Sequence, residues 1–395
     1  MYGGHSDLAQ RKKRRQNTRQ GIFRTDGLSV SPVPSGQKMH GRDAHATLFN
    51  APNRTSFAFN FAVSRLRGSP RTFTRQVALH CQNGSKFYAI FRRSSAKIGP
   101  MPCHLPCVLK RIVLLFLLSF SGFAAGCTKF DLLNATVPSC GYQTINNLSY
   151  GGIPRQKLDV YRPRHLPVDA KPGAPVVVFF YGGYWTAGEK RDYRFVGEAI
   201  TREGFVAVLP DYRLYPQTTF PGFIEDGALA VRWVVDHIDQ FGGDPSRIYL
   251  MGHSAGAHLV ALLTLDEHYL KAVGLDQKTI RATVALAGPY DFVPDESDGP
   301  ALNSKPGEVS DQRIEPLHFA NGHSPPMLLV QGLKDEVVQP RNAVELSGAI
   351  CRAGGAAMML TYPKRGHADL ILAMAWSFRW LAPVMHDAAV FILEH

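Results

Sequence analysis

A mostly parallel β-sheet covered by helices on both faces is the fold class this sequence predicts, from two observations on residues 128–395. Short apolar runs of strand length alternate there with segments of helical period, the order that builds a parallel sheet from strand, helix and strand. Most of these runs are also continuously apolar, as strands buried on both faces must be. About 270 residues is close to the upper limit for one hydrophobic core, so a single domain is expected.

Taken in order, KLDVYRP alternates and reads as an early strand, and PVVVFFYGG (175–183) is the first continuous run. Segments 205–213, 247–254, 282–291, 326–335 and 356–363 repeat its style. Helical patterns lie between them over Asp192–Glu203, Phe223–Phe241, Ala255–Leu265 and Arg341–Ala353, with a last one near Ser377–Leu393. No internal repeat is visible.

Charge divides the chain. The first hundred residues hold 18 Lys+Arg and 3 Asp+Glu against 26 and 29 in the remainder, so the net charge of +12 separates into +15 and −3. RKKRRQNTR is followed by scattered Ser, Gly, Pro and Arg without period, and FAFNFAV is the only sustained apolar run of residues 1–100. A basic, disordered tail is expected there. Its charge would suit nucleic acid or an anionic surface, but nothing outside the tail supports nucleic acid, which is not an expected partner.

A second signal begins at Met101. Lys110 and Arg111 precede an apolar core, Ile112 to Ala125, which ends in AAGC. Fourteen residues make only about 21 Å of helix, short of a hydrocarbon core of roughly 30 Å, so 101–127 reads as an export signal rather than a membrane span. The segment resembles the lipobox of bacterial lipoproteins, which implies lipidation of Cys127 and an exported protein, either membrane-anchored through that lipid or free in the periplasm or medium. Translation from Met101 would account for the tail. With Cys127 as first residue, the cysteines left are Cys140 and Cys351, and outside the cytoplasm a disulfide between them is chemically permitted. No His/Cys cluster has zinc spacing, so no structural metal is expected.

Ligands of such sheets sit at the carboxyl ends of the strands. There, Gly252-His253-Ser254-Ala255-Gly256 matches G-x-S-x-G between a buried run and the helix AGAHLVALLTL, the pattern of a serine held on a sharp strand-to-helix turn. A serine hydroxyl is a weak nucleophile and needs a histidine to take its proton and a carboxylate to orient that histidine. In strand-turn-helix sites of this kind the acid and then the histidine follow the serine after later strands. Asp335 in LKDEVV and His367 in KRGHADL occupy those places, with Glu336 and Asp291 as rival acids and His386 and His395 as other histidines. His253 and His258 suit packing or the substrate pocket, Trp185 the pocket, and Asp226 a structural charge near a helix N-terminus. YGGYW (181–185) follows a buried strand, and its backbone N–H groups, with that of Ala255, can face a developing oxyanion.

With YGGYW, LPDYRLYPQTTFPGFIED, FGGDPSRIYLMGHSAGAHLVALLTL, ALAGPYDF, LLVQGLKDEVV and YPKRGHADL in view, residues 150–395 resemble the α/β-hydrolase superfamily. Within it they are similar to the carboxylesterase branch that includes hormone-sensitive-lipase-like and kynurenine-formamidase-like esterases. The resemblance implies Ser254 as nucleophile, His367 as base, Asp335 as acid, and Gly183, Tyr184 and Ala255 as oxyanion donors. It also implies an ester substrate and neither cofactor nor metal. Tyr181 stands where the family's loop begins with histidine, so the bonds that brace the loop are expected to differ. The insertion 292–324 is polar and lacks an apolar helical stripe, as suits a rim rather than a lipase lid, so short or soluble esters are expected. The alternatives are an arylformamidase-type amide hydrolase and a non-catalytic binding module on a hydrolase scaffold.

Overall fold

The computed structural model describes residues 77–81, 87–90, 129–166, 171–291, 301–302 and 312–395, all within one structural unit, residues 53–395. The remainder of the basic tail and the whole of the signal segment, Cys127 included, lie outside the described residues.

Ten described strands make one sheet. In chain order they are β1 (Val77–Cys81), β2 (Phe87–Ile90), β3 (Tyr142–Ser149), β4 (Lys157–Pro163), β5 (Ala174–Phe180), β6 (Val206–Pro210), β7 (Gly243–His253), β8 (Ile280–Leu286), β9 (Met327–Gly332) and β10 (Ala357–Tyr362). Across the sheet the order is β2-β1-β10-β9-β8-β7-β5-β6-β4-β3. The strands from β10 through β6 are parallel, and an antiparallel pair flanks them on each side.

The central strands are the continuous runs of the sequence. Val176, Val177, Val178, Phe179 and Phe180 are all fully buried, and β-branched and aromatic side chains of this kind each contribute roughly 1.5–3 kcal/mol when removed from water. Helices α1 (Lys129–Ala135), α2 (Arg194–Arg202), α3 (Gly222–His237), α4 (Ala255–Leu265), α5 (Glu267–Ala272), α6 (Arg341–Arg352), α7 (His367–Leu372) and α8 (Val384–Leu393) connect or follow the strands. Every residue of α4 is buried, which explains its unbroken apolar sequence: it lies against β7 and β8 and is covered in turn by α3.

Several features depart from expectation. β3 went unseen because YQTINNLS is mostly polar and sits at the sheet edge, where only part of each side chain needs apolar cover. The tail expected to lack regular structure contributes β1 and β2, which pair antiparallel onto β10. A parallel sheet ending at β10 leaves a row of unpaired N–H and C=O groups, and a short local hairpin satisfies them. The insertion is also less of a polar rim than expected. Ala301, Leu302 and Ile314 are buried, the Ala301 carbonyl accepts from the Phe220 N–H, and His258 donates from Nε2 to the Ile314 carbonyl. Finally, Cys140 is a free exposed thiol whereas Cys351 is disulfide-bonded, so these two do not pair with each other.

Candidate active site

The chain runs from β5 to β6 on one side and then to β7 on the other, so the strand order reverses between β5 and β7. The loops leaving these two strands diverge and open a crevice at their carboxyl ends. Ser254 follows β7 there, facing the loop that follows β5.

Ser254 has φ 56° and ψ −120°, a conformation costly for any residue with a Cβ. Its amide is anchored to the Leu286 carbonyl of β8 at 2.9 Å. The flanking glycines are there for close approach. A Cβ on Gly252 would lie 2.2 Å from the Gly256 carbonyl oxygen, and one on Gly256 would lie 2.1 Å from that of Phe180. The strand can turn into α4 only because neither position carries a side chain, and the turn leaves the Ala255 N–H as the first of a helix, where no helical carbonyl can take it.

The structure brings Ser254, His367 and Asp335 together from three strand ends. Ser254 Oγ donates to His367 Nε2 at 2.9 Å, and His367 Nδ1 donates to Asp335 Oδ2 at 2.9 Å. A carboxylate can only accept, which places the imidazole proton on Nδ1 and leaves Nε2 free to take a proton from the serine. Burial raises the Asp335 pKa, but donation from His367 and from the backbone N–H groups of Val338 and Val337 outweighs it and holds the carboxyl below its usual range. The rival acids stand elsewhere: Glu336 is exposed, and Asp291 pairs with Arg341. His386 is exposed on α8, and His395 bonds the Phe391 carbonyl at the chain end.

Gln331 escaped sequence reasoning. Its Nε2 donates to Asp335 Oδ2 at 3.0 Å and to the Val338 carbonyl at 3.1 Å, holding the Asp335 loop to the end of β9. An amide in the otherwise apolar run PMLLVQG was the signal available. His253 is buried; its Nε2 donates to the His367 carbonyl at 3.2 Å, and its ring lies 4.8 Å from that of His367. It tethers the backbone of His367 to the end of β7. Burial, with the neighbouring His367, pushes its pKa down to about 3, so it stays neutral.

The loop after β5 is folded onto itself. The Gly183 carbonyl accepts from the N–H groups of Thr186 and Ala187, both at 3.0 Å, and Tyr184 and Trp185 take positive φ values of 54° and 57°. Trp185 is turned inward, packed on Phe223 and edge-on to His258, so it supports the loop from beneath, while Tyr184 is half exposed. Where the family has histidine, Tyr181 lies fully buried between the rings of Tyr193 and Tyr212. Burial keeps its hydroxyl protonated, with a pKa well above the usual phenol range, and it donates to Asp211 Oδ1 at 2.9 Å. Asp226, fully buried in the second turn of α3, takes Arg213 and Gln156 as partners, in keeping with a structural charge.

Gly182 is the point at which this loop touches Ser254. A Cβ there would lie 2.8 Å from Ser254 Cβ and 2.9 Å from the His253 carbonyl oxygen, neither of which can yield. The Gly182→Ala protein should therefore remain folded but lose about a hundredfold in kcat as the loop is displaced, a change read by steady-state kinetics beside a thermal melt.

Comparison with known proteins places this geometry. The BD-FAE family model matches residues 158–350. The chain is 30% identical over 285 residues to the esterase LipC of Mycobacterium tuberculosis, covering 65% of this chain and 68% of that protein. It is 29% identical over 276 residues to a probable isoprenylcysteine alpha-carbonyl methylesterase of Arabidopsis thaliana, covering 63% of this chain and 57% of that protein. The chain thus spans under three fifths of the plant methylesterases it matches. Among solved structures, a truncated carbohydrate esterase from gut microbiota superposes with a TM-score of 0.57 at 21% identity, covering 65% of this chain and 98% of that one. A thermostable esterase from Pseudomonas putida does so with a TM-score of 0.54 at 20% identity, covering 75% and 99%. At such identities the structural likeness speaks for the fold alone. The chain belongs to the carboxylesterase branch of the α/β-hydrolase superfamily.

Proposed function

We propose that this protein is a serine carboxylesterase that hydrolyses small or short-acyl esters through an acyl-enzyme. The observation that carries the reading is the unbroken chain of hydrogen bonds from Ser254 Oγ through His367 to Asp335, set on a strained turn at the sheet's switch point. His367 Nε2 takes the serine proton as Oγ attacks the ester carbonyl. The N–H groups of Gly183, Tyr184 and Ala255 receive the oxyanion, each such donor being worth on the order of 3 kcal/mol. The imidazolium, stabilised by Asp335, then protonates the departing alcohol, and water repeats the sequence on the acyl-enzyme. Relatives named as methylesterases support a small alcohol as leaving group. The same proposal takes residues 101–127 as an export signal and Cys127 as the lipidated residue, a reading that rests on the sequence.

The test is hydrolysis of p-nitrophenyl esters from acetate to decanoate by the full chain, with N-formylkynurenine as the amide counterpart. Labelling by a fluorophosphonate and peptide mapping are run in parallel. Turnover that declines beyond short acyl chains, with one label per chain on Ser254, is the expected result. Turnover of the formamide alone would move the protein to the amide hydrolases, and neither turnover nor label would end the catalytic reading.

A further inference from the structure

The loop of residues 181–188 has to hold its N–H groups still while carrying two non-glycine residues, Tyr184 and Trp185, at positive φ. Each costs on the order of 1–2 kcal/mol, so left to itself the loop would relax. Something outside the loop must over-determine it.

The polar group that touches both of its ends is Arg155, in the turn before β4 and far from any motif of the site. Its Nη2 donates to the Tyr181 hydroxyl at 3.1 Å and to the Gly188 carbonyl, and its Nε donates to the Tyr212 carbonyl at 2.7 Å. Tyr212 completes the figure by donating from its hydroxyl to the Tyr181 carbonyl at 2.7 Å. One guanidinium thus joins the first residue of the loop, its last residue and the segment after β6. Tyr181 leads directly into Gly182, which abuts Ser254.

We infer that Arg155 is a positioning residue for the oxyanion loop: its Nη2 clamps the loop at Tyr181 and Gly188 while its Nε ties the same group to Tyr212, and this fixes the donors beside Ser254. The inference rests on the serine-hydrolase reading above. Charge-assisted bonds from a planar group that offers Nε and Nη2 in fixed geometry suit this task, and the single nitrogen of a lysine cannot hold the Tyr212 carbonyl and the two loop ends in the same arrangement. Because the clamp acts on donors used in the transition state, its loss lowers kcat and spares KM. Arg155 also lines a cleft of about 960 Å³ with Lys190, Asp211 and Arg213, which gives small solutes access to the place its side chain occupies.

Kinetics of the full-length Arg155→Ala and Arg155→Lys proteins test this, together with hydrogen exchange over residues 181–188 followed by mass spectrometry. In Arg155→Ala we expect kcat to fall about a hundredfold with KM within about threefold, and the loop amides to exchange at least about tenfold faster. Millimolar guanidinium should restore part of the alanine protein's kcat while leaving wild type unchanged, and lysine should not substitute. Should the alanine protein fail to fold, Tyr181→Phe, which removes one arm of the clamp, carries the same two readouts with a smaller effect. A folded variant with wild-type kcat and wild-type exchange would overturn the clamp. Faster exchange in a protein whose wild type is inert on every ester would leave the clamp standing and count against the serine-hydrolase reading instead.

Discussion

Ser254→Ala and His367→Ala should each lose about five to six orders of magnitude in kcat on the best ester, and the double variant should lose no more than either alone. The reason is the linkage of the groups. Once Oγ is gone His367 has no proton to take, and without His367 the serine remains a hydroxyl of ordinary reactivity, so the second deletion removes nothing further. Asp335→Asn should retain more, with a loss nearer ten-thousandfold. The amide keeps the shape of the site but cannot accept the Nδ1 proton at 2.9 Å as a carboxylate does, so the imidazole turns to the wrong tautomer. KM should stay within a few-fold throughout. Single-turnover kinetics on a p-nitrophenyl ester reads these outcomes. Additive losses in the double variant, or a Ser254→Ala protein within tenfold of wild type, would mean that the three groups are not one device.

The second large effect is on stability and runs with acidity. His253 and His258 are both buried, and burial, assisted at His253 by His367, pushes them down from 6.5 to about 3 and about 4. A group whose folded pKa lies below its unfolded value contributes its full stability above the unfolded value. That contribution is lost as pH falls through the interval, because the unfolded chain binds protons that the folded one refuses. The window is therefore pH 6.5 down to 4 or below. Between pH 7 and 4 the two histidines should together remove about 6 kcal/mol at roughly 1.4 kcal/mol per unit, against a total stability of about 5–15 kcal/mol for a typical domain. Asp335, also depressed, adds to acid sensitivity only below its ordinary value of 3.8. Urea denaturation at pH 7, 5.5 and 4 measures the slope. His258→Gln keeps a donor for the Ile314 carbonyl but cannot titrate, so it should lose about 2–3 kcal/mol less over the same interval, whatever its stability at pH 7. Parallel curves for the two proteins would show that His258 is not the group responsible.

Legibility in the sequence followed local information. The turn at Ser254 was readable because glycine is demanded on both sides of it within five residues, and a motif records such a demand. Asp335 and His367 were readable because the parallel sheet sends each strand end to the same side, which turns chain order into proximity. Arg155 and Gln331 carry no such mark. Arg155 lies about a hundred residues before Ser254, in the turn that leads into β4, with nothing in its neighbours to distinguish it from a solvated cation.

The amino-acid sequence by itself determined the run of strands and helices, the depth of the central strands, Ser254 on its turn and the strand-end segments that carry the acid and the histidine, since each depends on periodicity, on residues a few positions apart or on chain order. Tertiary structure alone decided the rest. It chose Asp335 over Glu336 by burying one and exposing the other. It turned Trp185 from a pocket wall into a support beneath the loop, and drew the insertion's Leu302 and Ile314 into the core. It also decided which groups brace the loop through Tyr181, namely Arg155 and Asp211. The physical reason is common to all four. Which side chain is desolvated, and which donor meets which acceptor, is set by elements that pack together across large separations in sequence, and composition and spacing do not encode that distance.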